Sequence, residues 1–562
     1  MQLSPAFIFI GLMVVEWILL RTLHLPLWVQ SCISTLSLLL VNPIIFSIYR
    51  AIIAKRALSP FRDLPGPLAT DMFHGNTSAL FDLGSQLCLW AENIPNQGLL
   101  RFHAYLGTEF LVVTSVEGLN DILGRRTYDF VKPRAFQTWW KRFLGQGLMA
   151  EEGDVHKEKR RLVRPVFMSK RVDDLKPLIT SKAVKMATRL LQKQSIPYIS
   201  GTVQSPTPEG LVIDVYELAS YIVMDIVCII GLGMDYDVAN NTTHVLLKHQ
   251  QTVLTYDEKK LSQYKYHLAV PGSLLRLFPS AVEKSMDAAY ASARMFVANL
   301  ARERAEDIKT QSLVKFDYLT LLVQSGLYTA EECAADILSI MTAGYFADDL
   351  LQTSHESTAS IIAWTFYELA IDKNIQDALR KELQAVKLEA SSATKDDIDK
   401  LPVLNGVCNE AIRLHPGLPM SIRKALHDTS VSGRAVPAGT YVILPILAIN
   451  KSTKLWGSDA AQFVPERWVD YSGPEPKVNT LGGASSIVAM QSFLQGPREC
   501  IGRSFAIAEI KRVTAAVVTR FHIEAIDKVR WKPEGVISAK PPNGSKLRFR
   551  PLECVKHPET AI

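Results

Sequence analysis

The chain opens with two apolar runs of different length. The first, residues 6–20, is short and contains Glu16, whereas the second, residues 27–49, contains no charged residue. A helix needs about 20 apolar residues to cross a bilayer, so the second run predicts a transmembrane helix. A cleaved signal peptide is the alternative for the first run, but neither a basic start nor a small-residue cleavage site accompanies it. We expect residues 1–56 to form a membrane anchor with one or two spanning segments.

Basic residues and prolines follow the second apolar run. Arg50, Lys55, Arg56 and Arg62 come after it, and three prolines fall within residues 59–67. Positive charge beside a spanning segment favours the cytoplasmic side, and proline cannot continue a helix. The pattern therefore predicts a stiff turn into a cytoplasmic domain, residues 57–562.

The rest of the chain alternates helical periodicity with short strand patterns. Helical patterns cover residues 153–161, 337–342, 355–369 and 503–510, while residues 431–444 predict two short strands around a Pro-Gly turn. Apolar residues make up 48% of the chain and charged residues 21%, which predicts a large core rather than disorder. A net charge of +6 does not indicate a nucleic-acid binder, and seven scattered cysteines do not indicate a disulfide framework.

A ten-residue segment near the C-terminus combines glycine, arginine and cysteine at fixed spacing. Its characteristic positions are Phe493, Gly496, Arg498, Cys500 and Gly502. A thiol at the start of a helix is favoured as the thiolate that ligates metals, and glycine lets the backbone approach a flat ligand. Arg498 could pair with a carboxylate of that ligand. Taken alone, such a cysteine is more often an inert core residue, so the spacing decides the interpretation.

This segment resembles the haem-binding signature of the cytochrome P-450 family and matches each of its fixed positions. The resemblance extends from about residue 64 to about residue 551 and is strongest to eukaryotic, especially fungal, members. It implies a mainly α fold with a smaller β region. It also implies haem b (iron protoporphyrin IX) between a long crossing helix and the helix after the cysteine loop, with Cys500 as the axial ligand of the iron.

Three charged residues upstream look like the family's Glu-Arg-Arg triad. Glu410 and Arg413 lie three residues apart in a helical pattern, and Arg467 follows in a Phe-x-Pro-x-Arg segment. An exposed pair at this spacing would contribute little, so the motif is weak in isolation. The resemblance implies that the three side chains form a network that braces the cysteine loop.

Two further arginines resemble family residues that pair with a haem propionate. They are Arg423 and Arg160, the latter four residues after His156, which replaces the tryptophan usual in the family. A solvated charge is the alternative for Arg423. The helix around Arg160 is also basic, so it could be an ordinary solvated face or a docking surface for an acidic reductase. Its basic residues are Lys157, Lys159, Arg160, Arg161 and Arg164.

The family's oxygen-activating run is split in this chain. Ala343 and Gly344 end one helical pattern, and the acid-alcohol pair, Glu356 with Ser357 or Thr358, begins the next. Residues 346–354, nine in all, would rotate the second segment by about 180° and shift it by about 14 Å if they were helical. We therefore expect a looped-out bulge or an error in the gene model. Ordinary helix packing is the alternative for each of these residues.

The resemblance implies a monooxygenase that oxidises a lipophilic small molecule, such as a terpenoid or another secondary metabolite. Oxygen and electrons are required, and an NADPH-cytochrome reductase, with cytochrome b5 as a further donor, would supply the electrons because this sequence contains no Rossmann or flavin motif. The expected location is the endoplasmic reticulum membrane. The apolar residues 268–278 would form the substrate access region, with plain helix packing as the alternative.

Two other functions remain open at this point. A haem-thiolate isomerase or dehydratase would keep Cys500 and dispense with the acid-alcohol pair. A haem-binding membrane protein disabled by the split helix would bind haem without forming a product. Dependence on oxygen and NADPH distinguishes these functions from a monooxygenase.

Overall fold

The computed structural model describes most of the chain between residues 26 and 552. The described residues are 26–36, 59–71, 73–143, 145–192, 204–207, 210–237, 244–254, 259, 279–310, 316–343, 354–386, 398–527, 529–535, 539–542 and 544–552. Of the expected anchor, only Pro26 and helix Leu27–Leu36 fall in this part. Gly344, residues 346–353 and the expected access region 268–278 lie outside it.

Helices dominate the described residues, which confirms the mainly α class. The N-terminal half contains α1 (Leu27–Leu36), α2 (Ser85–Asn93), α3 (Val116–Asn120), α4 (Arg134–Phe143), α5 (Gly153–Val163), α6 (Ser169–Leu191), α7 (Val215–Leu232) and α8 (Val245–Leu254). The C-terminal half contains α9 (Ala281–Lys309), α10 (Tyr318–Ser325), α11 (Ala330–Ala343), α12 (Ser354–Ile371), α13 (Lys373–Gln384), α14 (Pro402–Leu414), α15 (Ile446–Asn450), α16 (Thr453–Trp456) and α17 (Arg503–Val518).

The strands form two larger sheets and two hairpins. They are β1 (Leu99–His103), β2 (Glu109–Val113), β3 (Phe130–Val131), β4 (Gln204–Thr207), β5 (Gly210–Asp214), β6 (Ser421–Ala425), β7 (Thr429–Val431), β8 (Arg434–Val436), β9 (Tyr441–Leu444), β10 (Val469–Asp470), β11 (Lys477–Val478), β12 (Phe521–Ala525) and β13 (Lys546–Pro551). One sheet has the order β1-β2-β9-β6-β3 and the other β12-β13-β5-β4. All pairings in these sheets are antiparallel except β2 with β9, which is parallel.

The two short strands predicted around the Pro-Gly turn in residues 431–444 are present as β8 and β9, and they belong to different sheets. The hairpin there joins β7 to β8 through Ser432 and Gly433, whose φ angles are 50° and 73°. Two consecutive positive φ angles give the turn whose twist suits a tight hairpin. The Pro-Gly turn instead leads from β8 to β9, which pairs with β6 in a different sheet.

Helix α7 shows how apolar sequence is used in the core. Asp214 caps its start by accepting hydrogen bonds from the backbone N–H groups of Tyr216 (3.2 Å) and Glu217 (3.1 Å), and Gly233 ends it in the left-handed conformation. Among the described residues it is the one helix long and apolar enough to cross a membrane. Because 72% of it is buried inside the protein, it is best explained as a core helix.

The helices around α7 pack into two core clusters. Helix α12 packs along α7, and its apolar residues join those of α14 and α17 in one core cluster. Helix α11 packs against α9 in a second cluster. The two helical patterns predicted from the sequence correspond to two helices, α11, which ends at Ala343, and α12, which begins at Ser354. The predicted bulge between them stays a prediction.

Candidate active site

One large cavity lies where α5, α7, α12 and the cysteine segment meet. It opens to solvent on one side. Apolar side chains such as Val227, Ile361 and Leu418 line it, and Cys500 lies on its wall. A mostly apolar cavity with a few convergent polar groups is the usual form of a cofactor or substrate site.

The cysteine segment is held in a tight loop. The backbone N–H of Cys500 donates to the carbonyl oxygen of Phe493 at 2.8 Å, and α17 begins three residues later. Gly496 has a φ of 68°, and a Cβ there would lie 2.0 Å from the carbonyl oxygen of Leu123. Glycine is therefore required at position 496 by both conformation and space.

Gly502 serves a different purpose from Gly496. It lines the cavity, and a Cβ added there would meet no atom of the described residues within 4 Å. The protein itself does not require glycine at this position. The absence of a side chain leaves the backbone uncovered on this side of the cavity, and the predicted contact of Gly502 with a ligand stays a prediction.

The protonation state of Cys500 differs from the simple expectation for a helix start. Burial raises the pKa of the thiol, and this effect outweighs the opposing influence of the Gly502 N–H and the charge of Arg160. A buried thiol becomes a thiolate when a metal cation binds it. The helix start alone therefore does not lower the pKa of the Cys500 thiol below its ordinary value.

The three residues of the predicted triad lie together in the core. Glu410 and Arg413 are fully buried and form two hydrogen bonds, Oε2 to Nε at 2.8 Å and Oε1 to Nη2 at 2.7 Å. Arg467 Nε donates to Glu410 Oε1 at 2.9 Å. Trp468, which the sequence analysis missed, donates its indole N–H to Glu410 Oε2 at 2.9 Å. The carboxylate thus has a partner on every side, as a buried charge requires.

Asn450 connects this network to the cysteine segment. Arg413 Nη1 donates to the carbonyl oxygen of Asn450 at 2.6 Å. The Asn450 side chain accepts from the backbone N–H of Gln491 (2.9 Å) and donates to Ser492 Oγ (2.8 Å). Residue 492 directly precedes the cysteine loop, so these bonds give the triad a continuous path to it. The sequence offered no local pattern that could have identified Asn450.

A cluster of cations faces the cavity from several elements. Its members are Lys132, Arg160, Arg423 and Arg498, with His156 beside them. Burial lowers the pKa of Arg423 to about 9 and that of Lys132 to about 7. Burial also lowers the pKa of His156 to about 3, so its imidazole is neutral at ordinary pH. The alternative of a solvated charge is wrong for Arg423, which is only 4% exposed.

Several donors in this cluster lack an acceptor within the described part of the chain. Arg498 Nε and Nη1 and His156 Nδ1 are buried and make no hydrogen bond there. Arg160 instead donates from Nη2 to the carbonyl oxygen of Glu499 at 2.7 Å, next to Cys500. Buried donors without partners are costly, and carboxylates of a ligand would satisfy them. The cavity is therefore suited to a ligand with acidic groups on the side of these donors.

The basic helix α5 has fewer surface charges than expected. Lys157, Arg161 and Arg164 are exposed, but Lys159 is buried and pairs with Asp336 of α11 at 2.7 Å. Arg160 turns into the cavity. Lys159 and Arg160 were therefore wrongly included in an exposed face, because positions 156, 159 and 163 form the inward side of the helix.

The acid-alcohol pair is only partly described. Ser357 and Thr358 line the cavity from the first turns of α12. A Cβ on Gly417 would lie 2.6 Å from Ser357 Cβ, so α12 passes very close to that loop. Ala343 is the last residue of α11, whereas Gly344 and the side chain of Glu356 lie outside the described part.

Glu509 is a cavity residue that the sequence analysis missed. It lines the cavity from α17, and its Oε1 atom is buried without a hydrogen-bond partner among the described residues. Burial raises the pKa of its carboxyl group well above the usual value. A helical position on the apolar side of α17, seven residues after Gly502, was the available signal.

Comparison with known sequences identifies the family. The sequence profile named "Cytochrome P450" (cytochrome P-450) matches residues 101–549, which is most of the chain. The chain belongs to the cytochrome P-450 family. It is 32% identical over 552 residues to cytochrome P-450 monooxygenase sphH of Aspergillus fumigatus, covering 93% of this chain and 94% of the relative. It is 31% identical over 543 residues to cytochrome P-450 monooxygenase abl5 of Leptosphaeria maculans, with 93% and 94% coverage.

Membership of this family establishes the general activity. The protein is a cytochrome P-450 type monooxygenase, and its cofactor is haem (iron protoporphyrin IX). Enzymes of this family use O2, a redox partner and a small-molecule substrate. The cavity fits such a cofactor, because it combines a cysteine, a glycine with open space above it and buried cationic donors without acceptors.

Proposed function

We propose that haem lies in this cavity with Cys500 as the axial ligand of its iron. Support comes from the position of Cys500 on the cavity wall and from the open space above Gly502. Phe493 closes the loop through its carbonyl oxygen and lines the cavity, and Gly496 fixes the turn of the loop. Bound through a thiolate, haem supplies the activation of O2 that makes the reaction possible.

The propionates would bind the cationic edge of the cavity. Arg498 has two buried N–H groups available, and Arg423 and Lys132 are buried beside it. His156 can donate from Nδ1, so it replaces the tryptophan usual at this position as a hydrogen-bond donor. Arg160 has a second role, since its bond to the Glu499 carbonyl steadies the peptide next to Cys500.

The triad would hold the cysteine loop in place before and during haem binding. Glu410, Arg413 and Arg467 are connected to the segment before Cys500 through Asn450. Since the network is buried, its geometry is insensitive to solvent. This positions the sulfur without any contribution from the ligand.

The side of the cavity formed by α12 would handle oxygen and protons. We assign proton delivery to Glu356 together with Ser357 or Thr358, and the oxygen groove to Ala343 and Gly344. The support is that Ser357 and Thr358 line the cavity at the start of α12. General acid groups must lie within hydrogen-bond reach of the atom that they protonate, and these hydroxyls are the described polar groups of α12 at the cavity.

The substrate would be a lipophilic small molecule such as a terpenoid or another secondary metabolite. The apolar lining of the cavity supports this assignment. Residues 1–56 would anchor the enzyme in the endoplasmic reticulum membrane with residues 57–562 on the cytoplasmic side. An NADPH-cytochrome reductase would dock on the exposed basic residues Lys157 and Arg161 of α5 and Arg164 directly after it, and cytochrome b5 is the proposed further donor.

Expression in microsomes with a reductase tests this proposal. The reduced carbon monoxide complex of the wild type should show the long-wavelength Soret band of a thiolate-ligated haem, and a screen of lipophilic compounds should give an oxidised product that requires O2 and NADPH. Cys500→Ser should lose that band, while Cys408→Ser, a change at another buried cysteine, should keep it. Product formation without oxygen would contradict the monooxygenase reaction and indicate an isomerase or dehydratase.

A further inference from the structure

Glu152 occupies an unusual place at the start of α5. It is the N-cap residue of this helix, yet its side chain does not cap the helix N–H groups. Its Oε1 atom instead accepts hydrogen bonds from both the backbone N–H and the Nζ of Lys132, each at 3.1 Å. Its Oε2 atom accepts from Arg498 Nη2. One carboxylate therefore joins the end of β3, the start of α5 and the cysteine loop.

The two partners of Glu152 are buried cations of the cavity edge. The side chains of Lys132 and Arg498 are each 5% exposed, and that of Glu152 is 16% exposed. Burial opposes ionisation of Glu152, but the charges of Lys132 and Arg498 outweigh it and lower its pKa to about 2. Within the described part of the chain, Glu152 is thus the acidic partner of these two buried cations.

The bond to Glu152 also determines what Arg498 presents to the cavity. It uses Nη2, while Nε and Nη1 remain buried without an acceptor in the described part of the chain. A guanidinium is planar, so fixing one nitrogen orients the other two. Burial lowers the pKa of Lys132 to about 7, and Glu152 acts against this reduction, so the carboxylate also helps to keep Lys132 charged.

We infer that Glu152 is a positioning residue for the haem propionates. It orients Arg498 through Nη2 and holds Lys132 through two hydrogen bonds, so that both cations are in place before the cofactor enters. This inference rests on the proposed haem site. Glu152 should therefore strengthen haem binding. Simple charge repulsion predicts the opposite, since an acidic residue near the propionates would weaken it.

The test measures haem loss from the purified, detergent-solubilised full-length protein to excess apomyoglobin. The wild type and Glu152→Gln are loaded with haem or with haem dimethyl ester, whose propionates carry no charge. With haem, Glu152→Gln should lose its cofactor about tenfold faster, at the lower end of the effect of removing an outer partner of a ligand group. With the dimethyl ester, the two proteins should lose it at equal rates.

Glu151→Gln is the matched control. Glu151 is the neighbouring acid, and it pairs with Lys141 at 3.6 Å. It should leave the rate of haem loss unchanged. The double variant Glu152→Gln with Lys132→Gln should accelerate haem loss by less than the product of the two single accelerations, because both changes disrupt one network.

The possible results are distinguishable. Equal acceleration with haem and with its dimethyl ester would show a general loss of structure and overturn the inference. Slower haem loss in Glu152→Gln would show that the carboxylate repels the propionates, which also overturns it. An unchanged rate in a variant of a haem-binding wild type would overturn this inference alone, whereas a wild type that takes up no haem would overturn the proposed function as well.

Discussion

Glu410 provides the sharpest test of how the cysteine loop is supported. Replacing it with alanine removes the acceptor of Arg413, Arg467 and the Trp468 indole at once. Arg413 is fully buried and would lose its carboxylate partner, whereas Arg467 would keep only the more exposed carboxylate of Asp459. Loss of one member of a buried ion pair typically costs about 3–5 kcal/mol of the free energy of unfolding.

Asp459 offers a matched comparison because it binds the same arginine at the surface. Its carboxylate lies 3.0 Å from Arg467 Nη2 and is 42% exposed. Exposed pairs contribute only about 0–1 kcal/mol, so Asp459→Ala should be nearly silent. The two variants therefore remove one carboxylate each from Arg467 in different environments.

Guanidinium unfolding of the full-length holoenzyme measures the difference, with tryptophan fluorescence following the fold and Soret absorbance following the haem. Glu410→Ala should shift the midpoint to much lower denaturant with an unchanged slope, and Soret loss should precede loss of the fold. Equal midpoints for Glu410→Ala and Asp459→Ala would refute the reasoning.

Three further changes test other parts of the site. Gly496→Ala should lower the melting temperature of the apoprotein and sharply reduce the haem-bound fraction, measured by the ratio of Soret to protein absorbance, because its Cβ would collide with the Leu123 carbonyl. Gly502→Ala should leave the melting temperature of the apoprotein unchanged and reduce only haem uptake. Equal melting temperatures of the two apoproteins would contradict this. Lys159→Met should destabilise the protein by about 3–5 kcal/mol in denaturant titrations, since Asp336 would stay buried without a counter-ion, and Lys157→Met by less than about 1 kcal/mol. Replacing Lys157, Arg161 and Arg164 by alanine should weaken the salt dependence of the haem reduction rate in stopped flow, and an unaltered dependence would remove α5 as the docking surface.

The parts of the site that could be predicted are those with several residues at fixed spacing. Cys500 with its flanking glycines and Arg498, and the pair Glu410 and Arg413, lie in single segments, so local sequence determines their arrangement. Arg467 needed the resemblance, because it is 57 residues from Glu410. The hydrogen bonds among Glu410, Arg413 and Arg467 are present, while the role of this network in supporting the cysteine loop remains a proposal.

The parts that could not be predicted depend on long-range contacts. Glu152 meets Arg498 across 346 residues, and Asn450 meets Arg413 across 37. No spacing rule applies to such pairs. Lys159 is a different kind of error, since its helical spacing from His156 already placed it on the buried side of α5. The hairpin at Ser432 and Gly433 was also missed, because serine is uncommon at positive φ.

The central claim is that the sulfur of Cys500 binds the haem iron. X-ray absorption at the iron K-edge of the purified enzyme identifies the atoms bound to the metal. One sulfur neighbour is expected in the wild type and in Cys408→Ser, and none in Cys500→Ser. A wild-type spectrum without sulfur, or a sulfur signal that persists in Cys500→Ser, would contradict the account.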